Sequence, residues 1–595
     1  MSSFFAHPSL ILLLGAVALP CLPPTLRRAV LLLIPAVVLA VVAALPSGVH
    51  GELRIYEWTL VFGRVDALSR VFALIMALMA LLGSLYAWKV EDVGQHVASW
   101  LYVGGSLGAI LAGDLLVLFF FWEWMALSSV FLIWARRSPE SLAAGYRYLL
   151  VHGAGGLLLL AGILLHGSSN GGDFAFEAFT QAGAGVGVWL ILAGVLVNAA
   201  APPLHGWLPD AYPAATFSGA VFLSAFTTKT AVYALCRGFP GFEILVPLGV
   251  VMALYGVTFA FLVNDCRRLL SYHIVSQVGF MVAGVGVGTA LAVNGAIAHA
   301  FAHILYKGLL FMGCGAVLMT TGRTKFTELG GLAAKMPWTL LFTAVGAMSI
   351  SALPLFSGFV SKSMTVAGVF ADHRYAAAYL LMLASVGTFV SIGCKLLALI
   401  WFGESRGGAE VERRAADPPW NMMAAMAAAA GLCVLIGIFP GALYGLLPHA
   451  VDYHPYTAYH VMETLQLLGF AALGFHLLRA KFAPKAVVVR DPGQFYRPPA
   501  RAFAHLAGGP LQGFDRWWSR LHERGGIRLV MRSAAGVGVF DNRVVDAAVD
   551  GTARAFRRLG GVLRTGQRGR LQQGLSLGLG VFVILLLVLW SLAGT

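Results

Sequence analysis

The stretch Val197–Asp210 reads VNAAAPPLHGWLPD and closes an apolar run that begins near Val186. An apolar run of that length reads as a membrane helix, yet it ends in two adjacent prolines, a histidine and a tryptophan. Proline removes a backbone donor and frees a carbonyl one turn earlier. At bilayer depth such a break is tolerated only against protein or beside a water-filled cavity. The stretch therefore predicts a broken transmembrane helix that opens onto a channel, with His205 and Asp210 towards its cytoplasmic mouth. Asn198, just before the break, is polar but cannot titrate.

Similar apolar runs recur along almost the whole chain of 595 residues, 59% of them hydrophobic and 11% charged. Soluble domains carry roughly 25% charged residues, and a spanning helix needs about 20 apolar ones. The chain reads as an all-α polytopic membrane protein with about sixteen spans. Its net charge of +14 records topology rather than nucleic-acid binding, because cytoplasmic loops retain Lys and Arg. Arg27 and Arg28, Lys89, Arg136 and Arg137, and Arg267 and Arg268 all fall in loops on one side. Arg323, Lys325, Lys335, Arg406, Arg413 and Arg414 join them, whereas loop 167–186 has Asp173 and Glu177 but no basic residue. The rule places the basic side in the cytoplasm, the chain in the cell inner membrane and both termini outside.

The six cysteines stand singly, with no CxxC pair, so neither zinc nor iron–sulfur ligation has sequence support. No flavin, nucleotide or haem motif is present either, and no metal or cofactor is expected. The first apolar run lacks the basic flank of a cleavable signal. Residues 480–573 are polar and Arg-rich, and Pro484, Pro492, Pro498, Pro499 and Pro510 interrupt them. Within them, Asp541–Gln573 predicts an amphipathic helix with Val545, Val549, Thr552, Phe556, Leu559 and Leu563 on one face. Such a helix would lie along the cytoplasmic interface before a last span at 574–592. A plain membrane-surface anchor is the alternative.

Charged side chains at bilayer depth are costly, so each is a functional candidate. Glu123 sits among aromatics in FFFWEWMALSS, and Lys229 sits beside hydroxyls in SAFTTKTAVYAL. HAFAHILYK sets His299, His303 and Lys307 at i, i+4 and i+8, on one helical face. Lys362 follows Pro354, Ser357 and Gly358 in LPLFSGFVSKS, which predicts a second broken helix. Lys395 lies in the thirteenth span, near enough to its cytoplasmic end to snorkel. His303 alone could equally be an interhelical hydrogen-bonding residue. The two breaks fall five spans apart, and an odd displacement reverses chain direction, as in an inverted repeat.

These motifs, with PPLHGWLPDAYPAA and NDCRRLLSYHIVSQVGF, run over roughly residues 60–405. Together they resemble the antiporter-like, proton-translocating membrane subunits shared by respiratory complex I and Mrp-type Na+/H+ antiporters. The core motifs read most like the D-type Mrp subunit. The C-terminal extension is similar to the lateral helix of complex I's distal subunit. The resemblance implies a core of 14 helices with two inverted five-helix repeats, each containing a broken helix. It also implies a central axis of carboxylate, lysine and histidine that relays protons. Glu123 matches the fifth-span glutamate, Lys229 the eighth-span lysine and His299, His303 and Lys307 the linking set. Lys362 matches the ionisable residue beside the second break. Most relatives carry a lysine seven residues before the histidine of PLHxWLP, as partner of the glutamate; here that position is Asn198. Glu123 is then expected to pair with Lys229 across a water, or to stay neutral.

The expected organisation is helices 1–3 in residues 1–97, a first repeat in 98–236 and a second in 245–403. Helices 14 and 15 fill 421–479, the basic amphipathic segment 480–573 and the final span 574–592. The leading function is a proton-moving subunit of a multisubunit Mrp-like cation/proton antiporter, with other membrane subunits as partners and sodium as the candidate counter-ion. A distal proton-pumping subunit of a complex I-like NADH-quinone oxidoreductase is the alternative. A membrane partner for a carbonic-anhydrase-like protein in inorganic-carbon uptake is another. Any redox or hydrolytic chemistry would belong to partner chains.

Overall fold

A computed structural model describes residues 7–486, 489, 491, 497–566 and 571–592. The chain divides into two units, residues 1–496 and 497–595. The first opens with α1 (Pro8–Ala18) and α2 (Pro24–Ala44), then β1 (Gly48–Ile55) and β2 (Trp58–Val65). There follow α3 (Ala67–Ala87), α4 (Val93–Leu111), α5 (Leu115–Trp134), α6 (Pro139–Ser169), α7 (Val186–Asn198) and α8 (Trp207–Ala214). Next come α9 (Gly219–Ala225), α10 (Thr227–Gly238), α11 (Leu245–Leu262), α12 (Cys266–Val287) and α13 (Ala290–Thr321). Then come α14 (Pro337–Ile350), α15 (Ser357–Ala371), α16 (Tyr375–Thr388), a π-helical stretch (Phe389–Leu396) and α17 (Leu397–Trp401). The unit closes with α18 (Gly408–Arg414), α19 (Trp420–Ile438), α20 (Gly441–Tyr444) and α21 (Ala458–Leu477).

Every predicted span holds a helix. Among the described residues, eleven helices are long and apolar enough to cross a membrane. One element departs from the all-α expectation: β1 and β2 pair antiparallel, Ile55 opposite Trp58, with Tyr56 in the left-handed region. Hydrogen bonds tie this hairpin to the start of α5, where Val61 N donates to Asp114 Oδ2 at 2.6 Å and Gly113 N donates to Val61 O at 2.9 Å. An edge strand otherwise leaves unpaired backbone groups.

The two predicted breaks are present and share their geometry. α7 stops at Asn198 and α8 resumes at Trp207; α14 stops at Ile350 and α15 resumes at Ser357. Ala200 (φ 57°) and Ala352 (φ 58°) both take the left-handed conformation, which costs an L-residue about 1–2 kcal/mol. Beside them, Ala201 N donates to Leu196 O and Leu353 N to Met348 O, each at 3.1 Å. That is the six-to-one bond of a Schellman cap. Helix starts match as well. Asp114 caps α5 by accepting from Val117 N, and Asp265 caps α12 by accepting from Arg268 N, each at 2.8 Å.

In the second unit, α22 (Arg497–Leu506), α23 (Gln512–Leu521), α24 (Arg528–Phe540) and α25 (Asp546–Gly566) run on through three π-helical turns. Pro498, Pro499 and Pro510 therefore do not interrupt the helical run as expected, whereas Pro484 lies between helices and Pro492 lies outside the described residues. Pro498 and Pro499 lie in the first turn, where no backbone donor is needed, and Pro510 is taken up in the π turn Ala507–Leu511. The amphipathic helix starts well before Asp541. The part of its expected end at residues 567–570 lies outside the described residues. Phe556, Leu559 and Leu563 on its apolar face are exposed in this unit. The apolar α26 (Leu571–Leu592) follows.

Candidate functional site: a buried row of lysine and histidine

Lys229, His299, His303 and Lys307 are fully buried, and Lys362 is 2% exposed. Lys229 lies one turn past Phe226, where α9 abuts α10. Its Nζ donates to the Ser224 carbonyl at 2.6 Å and to Thr228 Oγ1 at 3.0 Å. On α13, the His299 and His303 rings meet edge to face 6.3 Å apart, and the Tyr306 ring lies 5.2 Å from that of His303. His299 Nδ1 is 3.2 Å from Ser361 Oγ. His303 has no hydrogen-bond partner at either ring nitrogen, and Lys307 Nζ has none. Lys229, Lys307, His299 and Lys362 all act electrostatically on His303. Buried polar atoms are nearly always paired, and leaving one unpaired costs about 1–3 kcal/mol, more if charged.

At the second break, Lys362 Nζ donates to the Ile350 carbonyl, freed where α14 ends, at 2.7 Å. It reaches Ser385 Oγ at 3.3 Å and lies 5.2 Å from the centre of the Phe280 ring. A cavity of about 170 Å³ opens beside it, lined in part by Ser351, Tyr453, His460 and Glu463. Lys395 does not snorkel. It is 5% exposed, and its ammonium donates to Phe261 O at 2.6 Å and Val263 O at 3.2 Å.

The first half is built differently. Glu123 is half-buried, its Oε1 without a partner, and both amide atoms of buried Asn198 are also unpaired. Gly156 on α6 makes room for the carboxylate: a Cβ there would come within 2.0 Å of Glu123 Oε1. The expected Glu123–Lys229 pair is not formed as an ion pair among the described residues, because the lysine turns to the α9–α10 junction instead. At this break the Val197 carbonyl accepts from Ala200 N at 3.1 Å and from Trp207 Nε1 at 3.0 Å. His152 stacks on Tyr148 and meets Trp207 edge to face.

The partners of His205 and Asp210, and the pair His273 and Gln277, escaped the sequence reading. His205 Nε2 lies 3.2 Å from both oxygens of Asp491, which also accepts hydrogen bonds from Tyr255 and Tyr272. Burial pushes the Asp491 carboxyl up, but these three partners outweigh it and hold the group well below the usual carboxylate range. Asp210 pairs with Arg147 at 2.6 Å. His273 and Gln277, inside the quoted motif NDCRRLLSYHIVSQVGF, face Ser391 and Thr388. A polar pair at i, i+4 in an apolar span is the signal that would have found them. Among the described residues, no group of three or more His, Cys, Asp or Glu side chains could hold a metal ion.

Residues 112–391 match the family model described as NADH:quinone oxidoreductase/Mrp antiporter, transmembrane. Over that segment, a little under half of the chain, the sequence is similar to this family. The chain is 30% identical over 417 residues to hydrogenase-4 component B of Escherichia coli, covering 63% of this chain and 62% of that protein. It is 29% identical over 379 residues to the D-type subunit of the Na(+)/H(+) antiporter of Alkalihalophilus pseudofirmus, covering 60% and 76% respectively. The fold is shared with a chain of the Mrp complex from a Dietzia species, at TM-score 0.68 and 22% identity, over 79% of this chain and 98% of that one. The family segment takes in both breaks and every buried lysine and histidine of the central row.

Proposed function

We propose that the chain moves protons along Lys229, His303, Lys307, His299 and Lys362, as one subunit of a multisubunit complex in the cell inner membrane. An Mrp-like monovalent cation/proton antiporter is the assembly the family core supports, with sodium as counter-ion. The basic loops then face the cytoplasm and both termini lie outside. The observation that carries the reading is the pair His303 and Lys307, whose buried nitrogens have no hydrogen-bond partner. Glu123 and Asn198 form the first half's end of the row, and Lys395 its cytoplasmic end in the second half. The deciding experiment is purification of the native complex, reconstitution into liposomes and measurement of ion-dependent proton flux. Lys307→Ala in an assembled complex is expected to lower flux about 100-fold or more; unchanged flux would overturn the relay.

The long helical run from Arg497 to Gly566, followed by the apolar α26, favours a second reading as the distal pumping subunit of a complex I-like oxidoreductase. The chains that co-purify decide between them. Small antiporter subunits support the first reading and quinone-oxidoreductase subunits the second, whereas a carbonic-anhydrase-like partner points to inorganic-carbon uptake.

A further inference from the structure

We propose that the second half connects to the cytoplasm along a polar stripe on α16 and the π-helical stretch after it, with His273 as the proton-carrying link between Lys362 and Lys395. The proposal rests on the relay reading above. Ser385, Thr388, Ser391 and Lys395 follow at intervals of three or four residues in an otherwise apolar span, so they share one face. Each meets a polar partner on a neighbouring helix. Lys362 Nζ donates to Ser385 at 3.3 Å, Gln277 Nε2 donates to Thr388 Oγ1 at 3.4 Å, and His273 Nε2 lies 2.7 Å from Ser391 Oγ. Lys395 donates to the carbonyls of Phe261 and Val263, where α11 gives way to the loop before Arg267 and Arg268. Those two arginines mark the cytoplasmic side.

Distance explains why a titrating link is needed. Ten residues separate Ser385 from Lys395, about 15 Å of helical rise, too far for one transfer. The hydroxyls and the amide along the way carry hydrogen bonds but do not change charge near neutral pH. An imidazole does. His273 is fully buried, its Nε2 is bonded to Ser391, and its Nδ1 has no partner. A proton taken up at one ring nitrogen can therefore leave from the other, with the ring restored by the reverse tautomer shift. The charged groups that act electrostatically on His273 are Lys307, Lys362 and Lys395. Ser391 and Lys395 sit in a π-helical stretch, a form found mostly at functional sites. Gln277, four residues on, shares the α12 face with His273 and keeps its Oε1 unpaired.

The test uses the native complex in liposomes and compares His273→Gln, His273→Ala and Lys307→Ala, each checked for assembly and thermal stability. His273→Gln keeps a hydrogen-bonding group for Ser391 but cannot titrate; flux is expected to fall about 100-fold with assembly intact. Imidazole added to His273→Ala should restore flux, and the same addition should leave Lys307→Ala inactive. If His273→Gln keeps flux within a factor of two while Lys307→Ala abolishes it, the link is wrong and the relay stands. Lost flux in both His273 variants with no imidazole rescue marks a purely structural histidine and also overturns the link. Normal flux in Lys307→Ala removes the relay reading and the proposal with it.

Discussion

The two broken helices have the same backbone and different donors. In each, a left-handed alanine and a six-to-one bond end the first half-helix. At the first break the neutral indole of Trp207 caps Val197 O; at the second the ammonium of Lys362 caps Ile350 O. Asn198, whose amide cannot titrate, ends α7 at the first break. The shared geometry makes the channel. The identity of the donor decides whether the channel can pass a charge at that point.

Exchanging the donors is the sharpest way to break this comparison. Lys362→Met should lower flux about 100-fold or more and leave Ile350 O unpaired, read as lost flux together with a lower thermal midpoint of the complex. Asn198→Lys should raise flux about tenfold, less than a fully positioned acid–base group supplies, by giving Glu123 a partner. Adding Glu123→Gln to that variant should erase the gain, and no gain at all would mean that the first break carries no protons.

Trp207→Phe should act on stability and hardly on flux. It removes the indole donor while Val197 O keeps its backbone bond from Ala200 N, a loss of about 1 kcal/mol measurable by thermal unfolding in detergent. Gly156→Ala, whose new methyl meets the Glu123 carboxylate, should cost about 1–3 kcal/mol by overpacking. It should also move Glu123, visible as altered flux in the Asn198→Lys background. A comparable loss of flux from Trp207→Phe and Lys362→Met would erase the distinction between the two breaks.

The smallest effect concerns Asp491, which anchors its segment to His205, Tyr255 and Tyr272. Its folded-state pKa lies below the usual range, so its stabilising contribution is complete above the ordinary carboxylate pKa of about 4. The contribution is lost only as pH falls through the lower folded value. Hydrogen–deuterium exchange of peptides spanning residue 491 should therefore be unchanged between pH 7 and pH 5. Asp491→Asn should raise exchange there already at pH 7. Increased exchange of the native peptide at pH 5 would contradict the anchoring.

Much of the fold was readable from local pattern. Apolar runs, prolines and loop arginines act within one or two turns, so they placed the spans, both breaks and the i, i+4, i+8 set on α13. Pro498, Pro499 and Pro510 misled because a proline in a first turn or a π turn does not stop a helix. The hairpin at 48–65 was missed because its anchor, Asp114, is remote in sequence.

The chain's own order of residues thus determined that it spans a membrane, where its helices break and which charges lie at depth, since hydropathy and backbone donors are local properties. Which of those charges meet was decided by tertiary packing alone. Lys229 turns to the α9–α10 junction rather than to Glu123, Lys395 is buried against the end of α11, and His273 faces Ser391. The physical reason is that a buried polar group takes whichever partner the neighbouring helices bring within about 3 Å, and those helices lie far away along the sequence.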